Sequence, residues 1–228
     1  MALSDKRILE EKRRGNIVIS PFKRRNLSTS SYDVTLGKYF FREQHPSKKK
    51  HHHIFDIYSK KHTAEVWGTK ALFAKKAREE FKVSGGQVED FEGIFPNDYV
   101  IVLEPGETIL AHTKEFIGGK NTITTMMKAK SSFGRVFISV CKCAGWGDVG
   151  YINRWTMEIT NNSPHHVIPI VVGKRIAQIV FFETGSILGK DYSETGAYQS
   201  QSDIILVKKN WKPEMMLPRL WKDVQKKK

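Results

Sequence analysis

Short runs of Val, Ile, Thr and Phe dominate residues 98–184, and this pattern constrains the fold more than any other feature of the chain. Clusters of Gly, Pro, Asn and Asp separate many of the runs. The runs are 99–103, 107–112, 121–127, 135–141, 151–160, 166–172 and 176–182. Short strands between turn signals are typical of β-sandwiches, jelly rolls and barrels, not of alternating strands and helices. We therefore predict a mainly β fold.

The flanking segments add a few short elements to this β region. Residues 4–14 predict a helix that Ser4 caps and Gly15 ends. Three further elements are expected: a strand at 17–19, a strand or hairpin at 31–41, and a helix at 69–82. With one or two further short helices, these elements fit one domain over 1–205.

Two segments and a tail complete the predicted organisation. Residues 43–62 are rich in Lys and His and indicate an exposed basic insertion. Residues 185–203 are rich in Gly, Ser, Gln and Tyr and predict an ordered loop or a flap. Residues 206–228 form a basic tail, in which Met215, Met216, Trp211 and Trp221 are expected to pack on the body or on a neighbouring subunit.

The net charge of +14 is concentrated in three places. Residues 1–25, 41–62 and 206–228 carry +5, +4 and +6, so the rest of the chain carries −1. A nucleic-acid-binding domain usually spreads its excess of cations over one face of the folded body. A nucleic-acid partner is therefore not expected.

Several protein classes are excluded by missing signals. No apolar run approaches the roughly 18 residues of a membrane span, and the first residues lack the apolar core of a secretory signal. Cys141 and Cys143 are separated by one residue, which argues against a disulfide scaffold and for a reducing, cytoplasmic location. The zinc-deaminase signature and the P-loop are also absent from the sequence.

The stretch 128–135, KAKSSFGR, is the first candidate for chemistry. It places two hydroxyls, a glycine and three cations within eight residues between two predicted strands. Hydroxyls, backbone N–H groups and an Arg fork all donate to phosphate oxygens. The alternative is a polar β-turn with a solvated Arg135.

Glu158 is the second candidate, because it lies in the middle of a predicted strand. Alternation puts Trp155, Met157 and Ile159 on one face, and Thr156, Glu158 and Thr160 on the other. A carboxylate there could be a general acid/base held on a rigid element. The alternative is a half-exposed surface carboxylate, or one paired with Arg154 or Arg175.

Taken in order, the motifs resemble those of the dCTP deaminases, members of the trimeric dUTPase-like superfamily. The matching segments are Leu3–Ile8, Ser31–Gly37, Lys130–Arg135, Ala144–Asn161, Arg175–Ile179, and Tyr192 with Tyr198–Gln201. The resemblance implies a distorted β jelly roll, a homotrimer with active sites at subunit interfaces, and deamination without zinc. Mg²⁺ would arrive with the nucleotide triphosphate and would not be held by protein side chains.

The same resemblance assigns roles to individual residues. Glu158 would be the general acid/base, with Ser131 and Arg135 also in catalytic positions. The residues implied to bind dCTP or dUTP are Lys130, Ser131, Ser132, Arg135, Ala144, Asp148, Gln178, Tyr192, Tyr198 and Gln201.

Departures from the family pattern leave some alternatives open. Ala197 stands where the closing segment usually has a phosphate-binding Lys, and Lys190 or a basic tail residue is the candidate substitute. Ala144-Gly-Trp146 is similar to bifunctional members, which form dUMP and pyrophosphate directly. The rival functions are a dUTP diphosphatase without deaminase activity, and a non-catalytic nucleotide- or nucleic-acid-binding member of the fold. Gly150 and the missing Gly-rich dUTPase tail favour the deaminase.

Overall fold

The structure is a computed structural model that describes residues 1–44, 54–83 and 87–222. Strands β1–β14 are, in order, Ile17–Ser20, Tyr32–Arg42, Leu72–Phe73, Lys75–Lys76, Tyr99–Leu103, Thr108–Thr113, Phe116–Gly119, Ile123–Ala129, Ile138–Ser139, Trp146–Gly147, Ile152–Asn153, Thr156–Asn161, Ile168–Val171 and Arg175–Glu183. Helices α1–α6 are Asp5–Arg13, Lys60–Trp67, Ala77–Val83, Ser131–Arg135, Tyr192–Thr195 and Ile204–Asn210. Short 3₁₀ turns span Arg24–Asn26, Val88–Asp90 and Pro213–Met216.

The strands form three antiparallel sheets. The largest has the order β10-β8-β14-β2-β6-β12-β9, with β3 paired to β2. Two three-stranded sheets have the orders β1-β7-β11 and β13-β5-β4. The mainly β, jelly-roll-like fold is therefore confirmed, although the described residues hold more short helices than expected.

One hydrophobic core joins all three sheets. Ile117 of β7, Ile101 of β5 and Ile179 of β14 each have at most 1% of their surface exposed and belong to the same cluster. Alternate side chains of β12, including Met157, enter this core from the large sheet. The opposite face of β12 is therefore free to carry polar chemistry.

The predicted elements at the N-terminus are confirmed. Helix α1 begins after Ser4, whose Oγ accepts a hydrogen bond from the Arg7 backbone N–H at 3.4 Å. The predicted strands at 17–19 and 31–41 are β1 and β2.

The prediction of one helix over 69–82 is wrong for its first half. The chain instead forms β3 and β4, and α3 begins only at Ala77. Phe73 pairs with Tyr39 of β2, and its ring lies 5.3 Å from the Tyr39 ring, centroid to centroid. Lys75 pairs with Val100 of β5. Pairing with distant strands outweighs the helical composition of this segment.

The predicted strand at 135–141 is also mostly wrong. Only β9 is extended there. Helix α4 occupies Ser131–Arg135, and two residues outside it, Phe137 and Cys141, adopt positive φ values of 66° and 57°. The polar β-turn expected as the alternative at 128–135 is likewise replaced by this short helix. Short pieces of regular structure separated by left-handed residues cannot pair as one strand.

The basic insertion and the tail are only partly described. Residues 45–53 of the insertion and 223–228 of the tail lie outside the described residues. Helix α2 begins inside the predicted insertion, where Ser59 Oγ accepts a hydrogen bond from the His62 backbone N–H at 3.2 Å. Helix α6 spans residue 205, where the sequence predicts the end of the domain and the start of the tail. The division into domain and tail stays a prediction.

Candidate active site

Strand β12 carries Glu158, the carboxylate predicted from the sequence. Trp155, just before the strand, and Met157 are buried, while Glu158 is half-buried on the opposite face, as the alternation predicts. Glu158 pairs with Leu110 of β6, and β9 lies on the other side of β12. The carboxylate therefore extends from an interior strand whose backbone is paired with β6 at Glu158 and with β9 at Thr160 and Asn161.

The environment of the Glu158 carboxylate favours protonation. Its Oε2 is buried and has no hydrogen-bond partner within the described part of the chain. Burial raises the pKa of Glu158 above its ordinary value, while the charge of Lys142 opposes that shift. Neither expected ion pair is found there, because Arg175 binds Asp33 at 3.2 Å and the Arg154 guanidinium stacks 4.4 Å from the Trp211 ring centroid.

A cavity of about 500 Å³ lies against Glu158. Its volume is in the usual range for small-molecule sites. Five predicted site residues line it: Ala144, Asp148, Glu158, Tyr192 and Tyr198. The structure thus brings together the Glu158 carboxylate, the 144–148 loop and residues 185–203, which we call the closing segment, around one cavity.

The loop at 144–148 lies close to the strands because glycine permits it. A Cβ atom on Gly147 would lie 2.4 Å from Trp155 Cη2 and 2.5 Å from Thr125 Oγ1. Gly147 pairs with Thr125 in the short strand β10. No larger residue could occupy this position without moving the buried indole that supports β12.

The closing segment is fastened to the body by Gln199. The Ile152 backbone N–H donates to Gln199 Oε1 at 2.7 Å, and Gln199 Nε2 donates to the Gly150 carbonyl at 2.8 Å. Tyr192 makes an edge contact with Tyr151, with 5.1 Å between ring centroids. These contacts hold Tyr192 and Tyr198 at the cavity.

Residues of the tail form another wall of the cavity. Trp211, Met215, Met216 and Pro218 line it, together with Phe55 and Trp67 from the region of the insertion. Met216 has 4% of its surface exposed and packs with Phe41 and Leu110 of the large sheet. The prediction that the tail packs on the body is therefore confirmed for Met216, and for Trp211, whose ring lies against those of Tyr39 and His112.

A neutral histidine lies behind this wall. The ring centroids of His112 and Trp211 are 4.8 Å apart, and burial lowers the pKa of His112 to about 4. The Tyr39 backbone N–H donates to His112 Nε2 at 3.2 Å, so the proton resides on Nδ1, which donates to the Thr113 carbonyl at 2.8 Å. The charged group in contact with the Trp211 ring is Arg154, whose guanidinium carbon lies 4.4 Å from the ring centroid.

The predicted phosphate motif does not line the same cavity within one chain. Ser131, Ser132 and Arg135 are exposed on α4 and lie outside the lining around Glu158. Lys130 Nζ binds the buried Asp33 carboxylate at 2.8 Å. That ion pair joins the start of α4 to β2.

The two predicted glutamines also lie outside the Glu158 cavity. Gln178 is half-buried on β14, where it pairs with Asp33 of β2 and Lys128 of β8. Gln201 lines a smaller neighbouring cavity. Their predicted contacts with a nucleotide stay predictions.

Sequence reasoning missed several residues at the site. Arg154, Trp67, Trp211, Met216 and Gln199 were not assigned to the cavity, although all but Gln199 line it. Trp211 and Met216 are apolar residues within a lysine-rich tail, and that contrast was the available signal. Gln199 lies between two residues that the motif did assign, but the sequence gives no indication that its side chain points inward.

Two further observations concern the described residues as a whole. Across residues 1–44, 54–83 and 87–222, no group of three or more His, Cys, Asp or Glu side chains is arranged to bind a metal ion. Within the same ranges, no helix is both long and apolar enough to span a membrane.

Comparison with known proteins identifies relatives over most of the chain. A family model described as dCTP deaminase-like matches residues 2–184. A protein of Methanococcus aeolicus named dCTP deaminase, dUMP-forming, is 30% identical over 81% of this chain and 84% of its own length. A protein of Methanococcus vannielii with the same name is 29% identical over 94% of this chain and 99% of its own length.

A solved structure also matches. The crystal structure of 2'-deoxycytidine 5'-triphosphate deaminase from Agrobacterium tumefaciens has a TM-score of 0.49 and 19% identity. The match covers 83% of this chain and 50% of that one, so this chain spans about half of its length.

Proposed function

The chain belongs to the dCTP deaminase-like family, and from this premise we propose that it deaminates dCTP and goes on to form dUMP and pyrophosphate. The observation that carries the proposal is the Glu158 carboxylate, which lines a nucleotide-sized cavity with one oxygen buried and unpaired. The relatives named dUMP-forming, and the Ala144-Gly-Trp146 sequence, support the second step.

In the proposed reaction Glu158 moves protons at C4 and N3 of cytosine. The carboxylate takes a proton from water as the water oxygen bonds to C4, and delivers that proton to N3. The remaining hydroxyl proton then passes to the amino nitrogen, the C4–N bond breaks, and ammonia leaves. A carboxylate whose pKa is raised by burial is suited to both accepting and donating a proton in one cycle.

We propose that the complete site includes a second subunit of a homotrimer. Ser131, Ser132 and Arg135 are exposed and lie outside the Glu158 cavity of their own chain. Val136 and Phe137 follow directly, each with 51% of its surface exposed. An exposed apolar pair beside unused phosphate donors supports contact of this face with a neighbour that holds the nucleotide.

The proposal for Mg²⁺ is that it is carried by the phosphates of the nucleotide. The described residues offer no cluster of ligands that would form a protein cage. Mg²⁺ bound mainly through substrate phosphates and water is common among nucleotide enzymes. No zinc is included in the proposed reaction, and no step is assigned to a metal.

The test is chromatography of the products formed from dCTP, with dUTP as a parallel substrate. Release of ammonia with dUMP and pyrophosphate supports the full proposal. Formation of dUTP alone would restrict the enzyme to deamination. Hydrolysis of dUTP without any reaction of dCTP would instead identify a dUTP diphosphatase. Binding of the nucleotides without turnover would identify a non-catalytic member of the fold.

A further inference from the structure

A second, more polar cavity adjoins the one at Glu158. It measures about 200 Å³ and shares Asn153, Tyr198 and Met215 with the larger cavity. Two cations from the tail line it, Arg219 and Lys222. No acidic side chain is among the described residues that line this space. Because the two cavities share lining residues, an anion in the smaller cavity would adjoin a group bound beside Glu158.

Arg219 is held on the closing segment by three contacts. Its Nη1 donates to the Ala197 carbonyl at 3.1 Å, and its guanidinium carbon lies 5.4 Å from the centroid of the Tyr198 ring. Its backbone N–H donates to Tyr198 Oη at 3.3 Å. Among the described residues it forms no ion pair, so its charge is not neutralised by a carboxylate there.

The other candidate cation, Lys190, is placed differently. Its Nζ binds Glu194 at 3.3 Å, and both side chains are largely exposed. Lys190 lines neither of the two cavities. Of the two substitutes considered for Ala197, only the tail residues therefore line the cavities.

We propose that Arg219, with Lys222 beside it, binds the phosphates of the nucleotide whose base lies at Glu158. This rests on the proposed function, because it takes the ligand to be a nucleoside triphosphate. A guanidinium has five N–H donors, and the bond to Ala197 uses one of them, which leaves a fork for phosphate oxygens. The tail beyond the matched residues 2–184 thus supplies part of the substrate site.

The test is Arg219→Gln, because glutamine removes the charge but can still donate to the Ala197 carbonyl. Binding of dCTP and of deoxycytidine is measured by calorimetry in a Glu158→Gln background, where bound dCTP is consumed much more slowly than by wild type. We expect dCTP to bind roughly 10-fold more weakly, in keeping with loss of a charge-assisted hydrogen bond, while deoxycytidine binds as before. Lys209→Ala is the matched control, since it removes an exposed tail charge that lies outside both cavities.

Two results would overturn the inference. An equal loss of affinity for dCTP and deoxycytidine would show that Arg219 only fastens the tail to the closing segment. If Arg219→Gln lowers the affinity for dCTP no more than Lys209→Ala does, Arg219 does not contact phosphate. If Arg219→Gln fails to fold, Arg219→Lys takes its place: it keeps the charge without the fork and is expected to show a smaller, still dCTP-selective loss.

These outcomes are independent of catalysis. If the wild-type chain releases no ammonia from dCTP, the proposed function fails, yet the binding comparison still decides whether Arg219 recognises phosphate. If the wild-type chain deaminates dCTP and the variant shows no selective loss, only the inference about Arg219 fails.

Discussion

At the scale of single residues, the Glu158 carboxylate, whose Oε2 is buried and unpaired within the described residues, is the feature with most consequence. The strand alternation in the sequence predicted its face correctly, because a period of two follows from backbone geometry alone. Whether it would pair with Arg154 or Arg175 depended on where distant residues lie. Asp33 is only 1% exposed and binds Arg175, and the Trp211 ring stacks on Arg154. Neither contact leaves a signal in the local sequence.

The raised pKa of Glu158 predicts a pH-dependent cost in stability. A carboxylate with a folded pKa above its unfolded value makes the protein less stable as pH rises through that interval. Glu158→Gln should therefore have a larger free energy of unfolding than wild type at pH 7, and the difference should shrink toward pH 4. Urea unfolding at several pH values measures this.

Glu104→Gln is the control for that measurement, because Glu104 is exposed and lies on a turn away from the site. Its free energy of unfolding should stay within about 0.5 kcal/mol of wild type. A Glu158→Gln variant that is less stable than wild type at pH 7 would show that the charged carboxylate has a favourable partner.

At the scale of elements, local sequence patterns predicted helices and strands correctly where tertiary packing agreed with them. The capped helix α1 and the long strand β14 were both predicted from their residues. The error at 69–82 arose because helical composition says nothing about a free strand edge, and β2 and β5 offered such edges to Phe73 and Lys75. Packing of the tail on the body was predicted, but its exact place was not, because Met216 packs against Phe41 and Leu110, which lie more than a hundred residues away in the sequence.

The tail should contribute to both stability and the site. Met216 is buried against the large sheet, so Met216→Ala is expected to cost about 2 kcal/mol or more in the free energy of unfolding. The enlarged cavity should also raise the KM for dCTP. Thermal unfolding and steady-state kinetics measure the two effects.

Leu206→Ala is the matched control on the same tail. Leu206 has 43% of its surface exposed and lines neither cavity, so the loss should stay within about 0.5 kcal/mol. Equal effects of the two substitutions would argue against a specific role of Met216 in the wall.

At the scale of the whole molecule, the charge and the divided site are linked. The tail carries part of the chain's excess of cations, and the structure places two of them, Arg219 and Lys222, beside the site itself. Within one chain, the phosphate donors of α4 and the Glu158 cavity lie apart. The site shared between subunits that we propose accounts for this separation.

Shared sites predict rescue between two inactive variants. Arg135→Ala and Glu158→Gln should each lose most of their activity as homotrimers. When the two variants are co-expressed with different affinity tags and purified through both, the mixed trimers should recover activity, with about one of the three sites intact in each. Separately purified variants combined without subunit exchange are the control. Absence of rescue in verified mixed trimers would place both residues in the same subunit's site, or neither in any site.

The most direct test of the central claim is ammonia release from dCTP by wild type, Glu158→Gln and Glu104→Gln under identical conditions. We expect wild type and Glu104→Gln to release ammonia at equal rates, and Glu158→Gln to be slower by a factor of roughly 10² to 10⁴, while still binding dCTP. Turnover of dCTP by Glu158→Gln at the wild-type rate would contradict the assignment of Glu158 as the general acid/base.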